Sequence, residues 1–311
     1  MNILITGSEG SVGKHLVEEF LKKGYSVLSP PYSELDLTNE ERVSEYFGQH
    51  KIDVIIHSAT TLRQDTSYPA KTCENNLRMF FNLQKQLTPK IKLINFGSGS
   101  EYDRRYWYRK MPEEFFDQHI PEDDHSYSKY LISKYIRDTE QSNVINLRIF
   151  GIYGRYEDYR FKFISNAIVK NLLKLPIVIN QNVIYDYIYI NDFFRLVEIL
   201  VNKEPKNKTL NATTTQSIDL VSIAKLVNDV SHYESEIHVL HSGIGVEYSG
   251  DNKKLLSDIG PFEFMTHQEA IADLYHYYKS IEVTLDVKAV VQDNYLNYAK
   301  KLRTYFKSSN Q

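Results

Sequence analysis

Two hydrophobic rhythms alternate along the first half of the chain. Short continuous apolar runs at 2–6, 25–29, 53–57, 91–96 and 144–149 read as strands buried on both faces. Between them apolar residues recur every three or four positions, as with Val12, Leu16, Val17, Phe20 and Leu21 within 11–23. The same spacing predicts helices at 39–48, 69–87 and 126–141. Strand–helix alternation requires parallel pairing through right-handed crossovers, so the expected class is α/β with a doubly wound parallel sheet.

The second half is less regular. A helix is predicted over 161–173, a strand over 183–190 and a helix over 193–201, the last two returning to the sheet of the first half. This divides the chain into a main domain, 1–153 with about 183–205, and a smaller C-terminal α/β lobe, about 154–182 and 206–285. Residues 286–311 form an extension whose stretch 287–307 is helical in pattern, either an appendage or a contact with another subunit.

The chain has 311 residues, 42% of them hydrophobic, enough for a substantial core. A net charge of −3 lacks the basic excess of nucleic-acid or membrane-surface binders. No apolar run approaches the roughly twenty residues of a membrane span. Cys73 is the single cysteine, which excludes an internal disulfide and fits a reducing, cytoplasmic setting. No metal site is expected. Tyrosine is abundant, at 24 residues, which lowers the information in any one tyrosine motif.

The first strand runs into Gly7-Ser8-Glu9-Gly10-Ser11-Val12-Gly13, and a helix follows. A turn at Gly7, close backbone approach at Gly10 and tight helix–strand packing at Gly13 are what a dinucleotide pyrophosphate needs at a helix N-terminus. The G-x-x-G-x-x-G spacing resembles the short-chain dehydrogenase/reductase superfamily, whose fold is of the Rossmann type with a smaller substrate-binding lobe. The likeness implies cofactor contacts at Gly7, Gly10, Ser11, Val12 and Gly13. It adds Asp36 and Leu37 after the second strand, Ser58, Ala59 and Thr60 after the third, and Phe96, Phe150 and Ile152.

Tyr130-Leu131-Ile132-Ser133-Lys134 has the Tyr-x-x-Ser-Lys form of that superfamily. Residues four apart share a helix face, so Lys134 would lie near the Tyr130 phenol and favour its ionisation. The looser Tyr-x-x-x-Lys spacing also occurs at Tyr106/Lys110 and Tyr275/Lys279. Position between the fourth and fifth strands selects Tyr130 and Lys134, which would also touch the cofactor. Phe96-Gly97-Ser98-Gly99-Ser100-Glu101-Tyr102 resembles the serine-bearing turn of the extended members, the nucleotide-sugar epimerases, dehydratases and reductases. Ser98 then takes the place of the catalytic serine, donating to the reacting oxygen.

Departures from the pattern narrow the chemistry. Dehydratases carry a Thr-Asp-Glu turn where this chain has Ser98-Gly99-Ser100. Members resembling GDP-L-fucose synthase epimerise C3 and C5 with a cysteine and a histidine. Those places hold Ser100 and the stretch Ile164-Ser165-Asn166. Neither serine nor asparagine readily removes a proton beside a ketone. The resemblance therefore implies an NAD(P)H-dependent C4-ketoreductase for a nucleotide-linked 4-keto-6-deoxy hexose or heptose, with GDP as the expected nucleotide, in surface polysaccharide biosynthesis. A 4-epimerase, a C4 dehydrogenase and a cofactor-binding regulatory protein on the same fold remain open. NADP(H) and NAD(H) are undecided, with reductive biosynthesis leaning to NADPH. Substrate contacts are expected from Ser98, Ser100, Arg155, Arg160, Lys162, Asn166, Tyr185 and Asn252. A homodimer is expected from the resemblance.

Overall fold

The computed structural model describes residues 1–63 and 67–308. The first half runs β1 (Asn2–Thr6), α1 (Ser11–Lys22), β2 (Ser26–Leu28), α2 (Glu40–Gln49), β3 (Val54–His57), α3 (Thr72–Gln84), β4 (Lys92–Ser98), α4 (Asp124–Asp138) and β5 (Val144–Ile149). It continues through β6 (Gly151–Tyr153), α5 (Phe163–Leu172), β7 (Ile177–Asn182), β8 (Ile184–Tyr185), β9 (Tyr187–Tyr189), α6 (Ile190–Asn202) and β10 (Thr209–Ala212). The remainder is β11 (Ile218–Asp219), α7 (Leu220–Val230), β12 (Ile237–Ile244), α8 (Lys253–Ile259), α9 (His267–Ser280), α10 (Val287–Val291) and α11 (Asn294–Ser308).

Six parallel strands in the order β10-β5-β4-β3-β1-β2 make the central sheet of a Rossmann-like α/β fold. Successive side chains of a strand point to opposite faces. Ile3 and Ile5 of β1 join Ile56, Ile94 and Leu147 under α1 and α6, where Leu16, Phe20, Phe193 and Leu196 cover them. Leu4, Ile55, Leu93 and Val144 point the other way, against Val43 of α2, Phe80 of α3 and Ile136 of α4. Both faces are covered, which is why these strands read as unbroken apolar runs rather than as alternation. A second core joins α5, α7 and α9 through Ile168, Ile223, Val227, Ile271 and Leu274.

Two expectations about the second half are corrected. The stretch 183–190 does not return to the central sheet. It forms β8 and β9, which pair with β11 and β6 outside it. The sixth strand is β10, from the stretch assigned to the smaller lobe, and it lies parallel to β5 with Leu210 opposite Leu147. Apart from Asp186 the stretch is apolar or aromatic throughout and so reads as one buried strand, but Asp186, buried and paired with Lys110 at 3.0 Å, lies between the two short pairs. The four residues of β10 carry too little apolar signal to stand out.

The C-terminal extension is not an appendage. Tyr295 packs on Phe163 at 5.3 Å, and the Ala299 carbonyl accepts from Asn180 at 3.3 Å. Positions 309–311 of that extension lie outside the described residues. No helix among the described residues is long and apolar enough to cross a membrane.

The end of β4 is held by a buried ion pair. Arg148 Nε donates to Glu101 Oε2 at 2.7 Å, and both side chains are fully buried. Glu101 Oε1 also accepts the Ser98 backbone N–H at 2.9 Å, closing the turn that follows the strand. The guanidinium lies over the Phe116 ring at 4.3 Å. Removing one partner of such a pair strands the other charge in the interior, which costs about 3–5 kcal/mol. Glu101→Ala is therefore expected to lower the urea unfolding midpoint by a corresponding amount with little change in slope. A loss under about 1 kcal/mol would show that the turn does not depend on the pair.

Candidate active site

Gly7 begins the loop after β1 with φ of 69°, the left-handed region that glycine enters without strain. A Cβ on Gly7 would lie 2.7 Å from the Ala59 backbone, and one on Gly13 would lie 2.2 Å from the Gly7 carbonyl oxygen. The loop, the first turn of α1 and the segment after β3 are thus packed backbone to backbone. Gly10 is the N-cap of α1 and supplies no side-chain cap, so the first N–H groups of the helix point outward.

They face a cleft of about 460 Å³. Its walls include Gly7, Gly10, Ser11, Val12, Leu37, Ser58, Ala59 and Thr60, all expected from the sequence. Asp36 sits at its margin, accepting from Thr38 N–H and Oγ1 at 2.9 and 2.7 Å and from the Tyr32 hydroxyl at 3.1 Å. Cradle, open helix terminus and apolar walls fit a dinucleotide. Among the described residues the wall holds Glu9 and no lysine or arginine.

Tyr130 and Lys134 do not reach this cleft, and their catalytic and cofactor-binding assignment is corrected. The Tyr130 ring is buried against Phe116 at 5.4 Å, and its hydroxyl donates to Asp117. Lys134 Nζ donates to both Asp117 oxygens at 2.7 Å, and Arg137 adds a second cationic partner at 2.9 Å. Burial would raise the Asp117 carboxyl, but its bonds from Lys134, Tyr130 and Arg137 outweigh that and hold it far below its usual range. This is a structural ion cluster on the flank of α4.

The face of α4 turned to the strand ends carries His125 and Lys129 instead. Consecutive helix residues are about 100° apart, so Tyr130 cannot share the direction of Lys129. Lys129 Nζ donates to the Phe96 carbonyl at 2.7 Å, in the strand that ends at Ser98. Burial pushes its pKa down to about 8, opposed by Glu101. Its charge also reaches His57, at the end of β3, whose pKa falls to about 3 through burial first and Lys129 second. Phe96 enters the site through that carbonyl, since its ring packs on Phe193 at 5.0 Å under the sheet.

His125 stacks on Tyr68 at 4.4 Å, nearly parallel, and its buried Nδ1 has no partner in the protein. Burial first, then Lys129, Arg104, Arg63 and Lys162, lower its pKa to about 3. The stretch His125-Ser126-Tyr127-Ser128-Lys129 has the same spacing as Tyr-x-x-Ser-Lys, with histidine at the first place. A search keyed on tyrosine passes over it.

Arg63, Arg104 and Lys162 line a second pocket of about 270 Å³. Phe150 and Ile152, expected at the cofactor, belong to its wall, with Tyr185, Tyr187, Tyr248, Tyr295 and Tyr298. The buried Arg104 Nε and Trp107 Nε1 are also unpartnered. The two cavities adjoin in the loop after β3, where Leu62 lines the first and Arg63 the second. Ser98 stands at the second: its Oγ accepts from Ser100 Oγ at 2.9 Å and is hydrogen bonded to the Tyr248 hydroxyl.

Of the expected substrate residues, the pocket gathers Lys162 and Tyr185, with Ser98 and Ser100 beside it. Arg155 does not line it, pairing with Asp273 at 3.7 Å, and Arg160 pairs with Asp158 at 2.7 Å. Asn166 donates to the Tyr159 carbonyl and Asn252 to that of Thr213, both structural bonds. The sequence reading missed Arg63, Arg104, His125 and Lys129.

Residues 3–213 match the profile of the NAD dependent epimerase/dehydratase family. GDP-L-colitose synthase of Yersinia pseudotuberculosis is 21% identical over 285 residues, covering 84% of this chain and 92% of its own. GDP-6-deoxy-D-talose 4-dehydrogenase of Aggregatibacter actinomycetemcomitans is 25% identical over 303 residues, covering 92% and 100%. Among solved structures, a GDP-mannoheptose C4 reductase from Campylobacter jejuni with NADP bound superposes with a TM-score of 0.74 at 19% identity, covering 89% of this chain and 98% of that one.

Two variants check the cleft. Gly13→Ala must displace the Gly7 backbone and is expected to weaken dinucleotide binding at least about tenfold in calorimetry. Tyr130→Phe is expected to leave that affinity within about twofold; a large loss would return Tyr130 to the site.

Proposed function

Because the chain belongs to the NAD dependent epimerase/dehydratase family, we propose that this NAD(P)-dependent oxidoreductase is a C4-ketoreductase for a nucleotide-linked 4-keto-6-deoxy hexose or heptose. The observation that carries the reading is the meeting of two cavities at Leu62 and Arg63: a dinucleotide cradle on one side and, on the other, a cationic, tyrosine-walled pocket whose Tyr248 is bonded to Ser98. When bound, the reduced nicotinamide supplies a hydride to the C4 carbon. Arg63, Arg104 and Lys162 suit a sugar nucleotide's diphosphate, and the tyrosine walls suit its base and sugar faces. Ser98 is placed to donate to the C4 oxygen as charge develops there. GDP is the favoured nucleotide because the colitose, talose and mannoheptose enzymes named above act on GDP sugars.

Dehydration finds no support in the turn after β4. Its carboxylate, Glu101, is fully engaged by Arg148 and the Ser98 N–H. Between the two cofactors we read NADH rather than NADPH, on the charges around the cleft. A 2′-phosphate needs a cation, yet the wall presents Glu9, while Arg42 donates to the Ser33 carbonyl outside it.

A second reading rests on Glu157. This buried carboxyl lines the sugar pocket, and burial raises its pKa to about 7 against the opposing bond from Ser165. A carboxyl poised near neutrality could remove a proton beside the ketone, the step of ring epimerisation.

The test supplies GDP-4-keto-6-deoxysugars with NADH or NADPH and follows the reduced-cofactor absorbance. Oxidation is expected, with a lower KM for NADH; none with any nucleotide 4-ketosugar removes the reading. Run in D2O, the product is expected to carry no solvent deuterium at C3 or C5. Deuterium that disappears in Glu157→Gln would establish the second reading.

A further inference from the structure

We propose that His125 is the group that exchanges a proton with the sugar oxygen, and that the substrate's own diphosphate raises its proton affinity on binding. The inference deepens the proposed function and rests on it for the identity of the sugar.

Three observations carry it. His125 and Lys129 share one face of α4, and Lys129 is bonded to β4 two residues before Ser98. The stack on Tyr68 leaves the imidazole one plane and one unpartnered buried nitrogen. The cations that bear on the ring are those lining the second pocket: Arg63 from the loop after β3, Arg104 from the turn after β4, and Lys162 ahead of α5. Lys129 adds a fourth from α4 itself. On the acidic side, Asp123 is exposed and caps the helix through Ser126 N–H at 2.9 Å.

Surrounded in this way the resting imidazole is neutral at physiological pH. A nucleoside diphosphate brings two or more negative charges among the same cations. Its field opposes theirs and lets the ring hold a proton. Linkage makes the effect reciprocal, so binding takes up a proton from solvent. In the reduction the C4 carbon receives the hydride, and the carbonyl π pair takes the imidazolium proton as the new O–H bond. His125 is left neutral, and the next binding event reloads it. In the reverse direction the neutral ring accepts the hydroxyl proton.

The test is calorimetry of GDP binding to the full chain saturated with dinucleotide, at pH 6, in two buffers of different ionisation enthalpy. If the bound ring returns to the ordinary histidine value, it takes up roughly three-quarters of a proton per site, read as the difference between the parent and the His125 variants, because the GDP terminal phosphate itself titrates near this pH and contributes equally in both. His125→Asn and His125→Gln are expected to lose that uptake while binding GDP within about threefold; Tyr130→Phe keeps it. With a nucleotide ketosugar the two His125 variants should lose at least about a hundredfold in kcat with KM changed less than threefold, and His125→Tyr should recover part of the rate. Uptake unchanged in both folded variants, or turnover within threefold of the parent, overturns the proposal, as does failure of GDP, UDP and dTDP all to bind. If the parent reduces no nucleotide ketosugar, the proposed function falls, and the buffer dependence of GDP binding still decides whether His125 carries the proton.

Discussion

A single hydrogen bond, from Lys129 to the Phe96 carbonyl, sets the orientation of everything around the site. Burying an ammonium is unfavourable unless it finds strong acceptors. Here the acceptor is the backbone of the central sheet at its C-terminal edge. That anchor chooses which stripe of α4 faces the strand ends. Once Lys129 is placed, the period of the helix places His125 beside the pocket and sends Tyr130 and Lys134 to the flank. The chemistry of the site follows from the rotation of one helix about its axis.

The surrounding charges are arranged in two layers with different consequences. The inner pair, Glu101 and Arg148, is sealed from solvent and fixes the turn that presents Ser98. The outer set, Arg63, Arg104 and Lys162, lines open space, where the carboxyl among the described lining residues, Glu157, is itself pushed toward neutrality by burial. The first layer gives rigidity to the strand end, while the second gives an electrostatic demand that an anionic ligand answers. In open α/β sheets ligands gather beyond the carboxyl ends of the strands, and both layers lie there.

Much of this was legible beforehand. Strands covered on both faces announce themselves as continuous apolar runs, and the glycine loop needs its three residues at fixed places, so five of the six sheet strands could be read from residues 1–149 and the cofactor cleft from residues 1–60. What could not be read was direction. Tyr130/Lys134 and His125/Lys129 have equal spacing and lie five residues apart on one helix. Choosing between them needs the helix rotation, which depends on contacts with β4 and β5 that local pattern does not carry. Arg63 sits in an irregular loop and Arg104 opens a three-residue 3-10 turn, both too short for periodicity to say which side chain turns inward. The short strand β10 escaped because four residues hold too little pattern, while 183–190 mimicked a sheet strand through its nearly unbroken apolar and aromatic run.

The tail of the chain completes the second pocket: Tyr295 and Tyr298 of α11 close a wall that the sheet and its loops leave open, and Arg63 lies over the Tyr298 ring at 4.3 Å. Helix α11 takes no part in the central sheet, so its side chains can change without straining the strands that carry the glycine loop. Under the proposed function, preference among sugars can therefore diversify along α11 while the cofactor cleft stays as it is, and exchanging α11 between homologues becomes a route to new specificity.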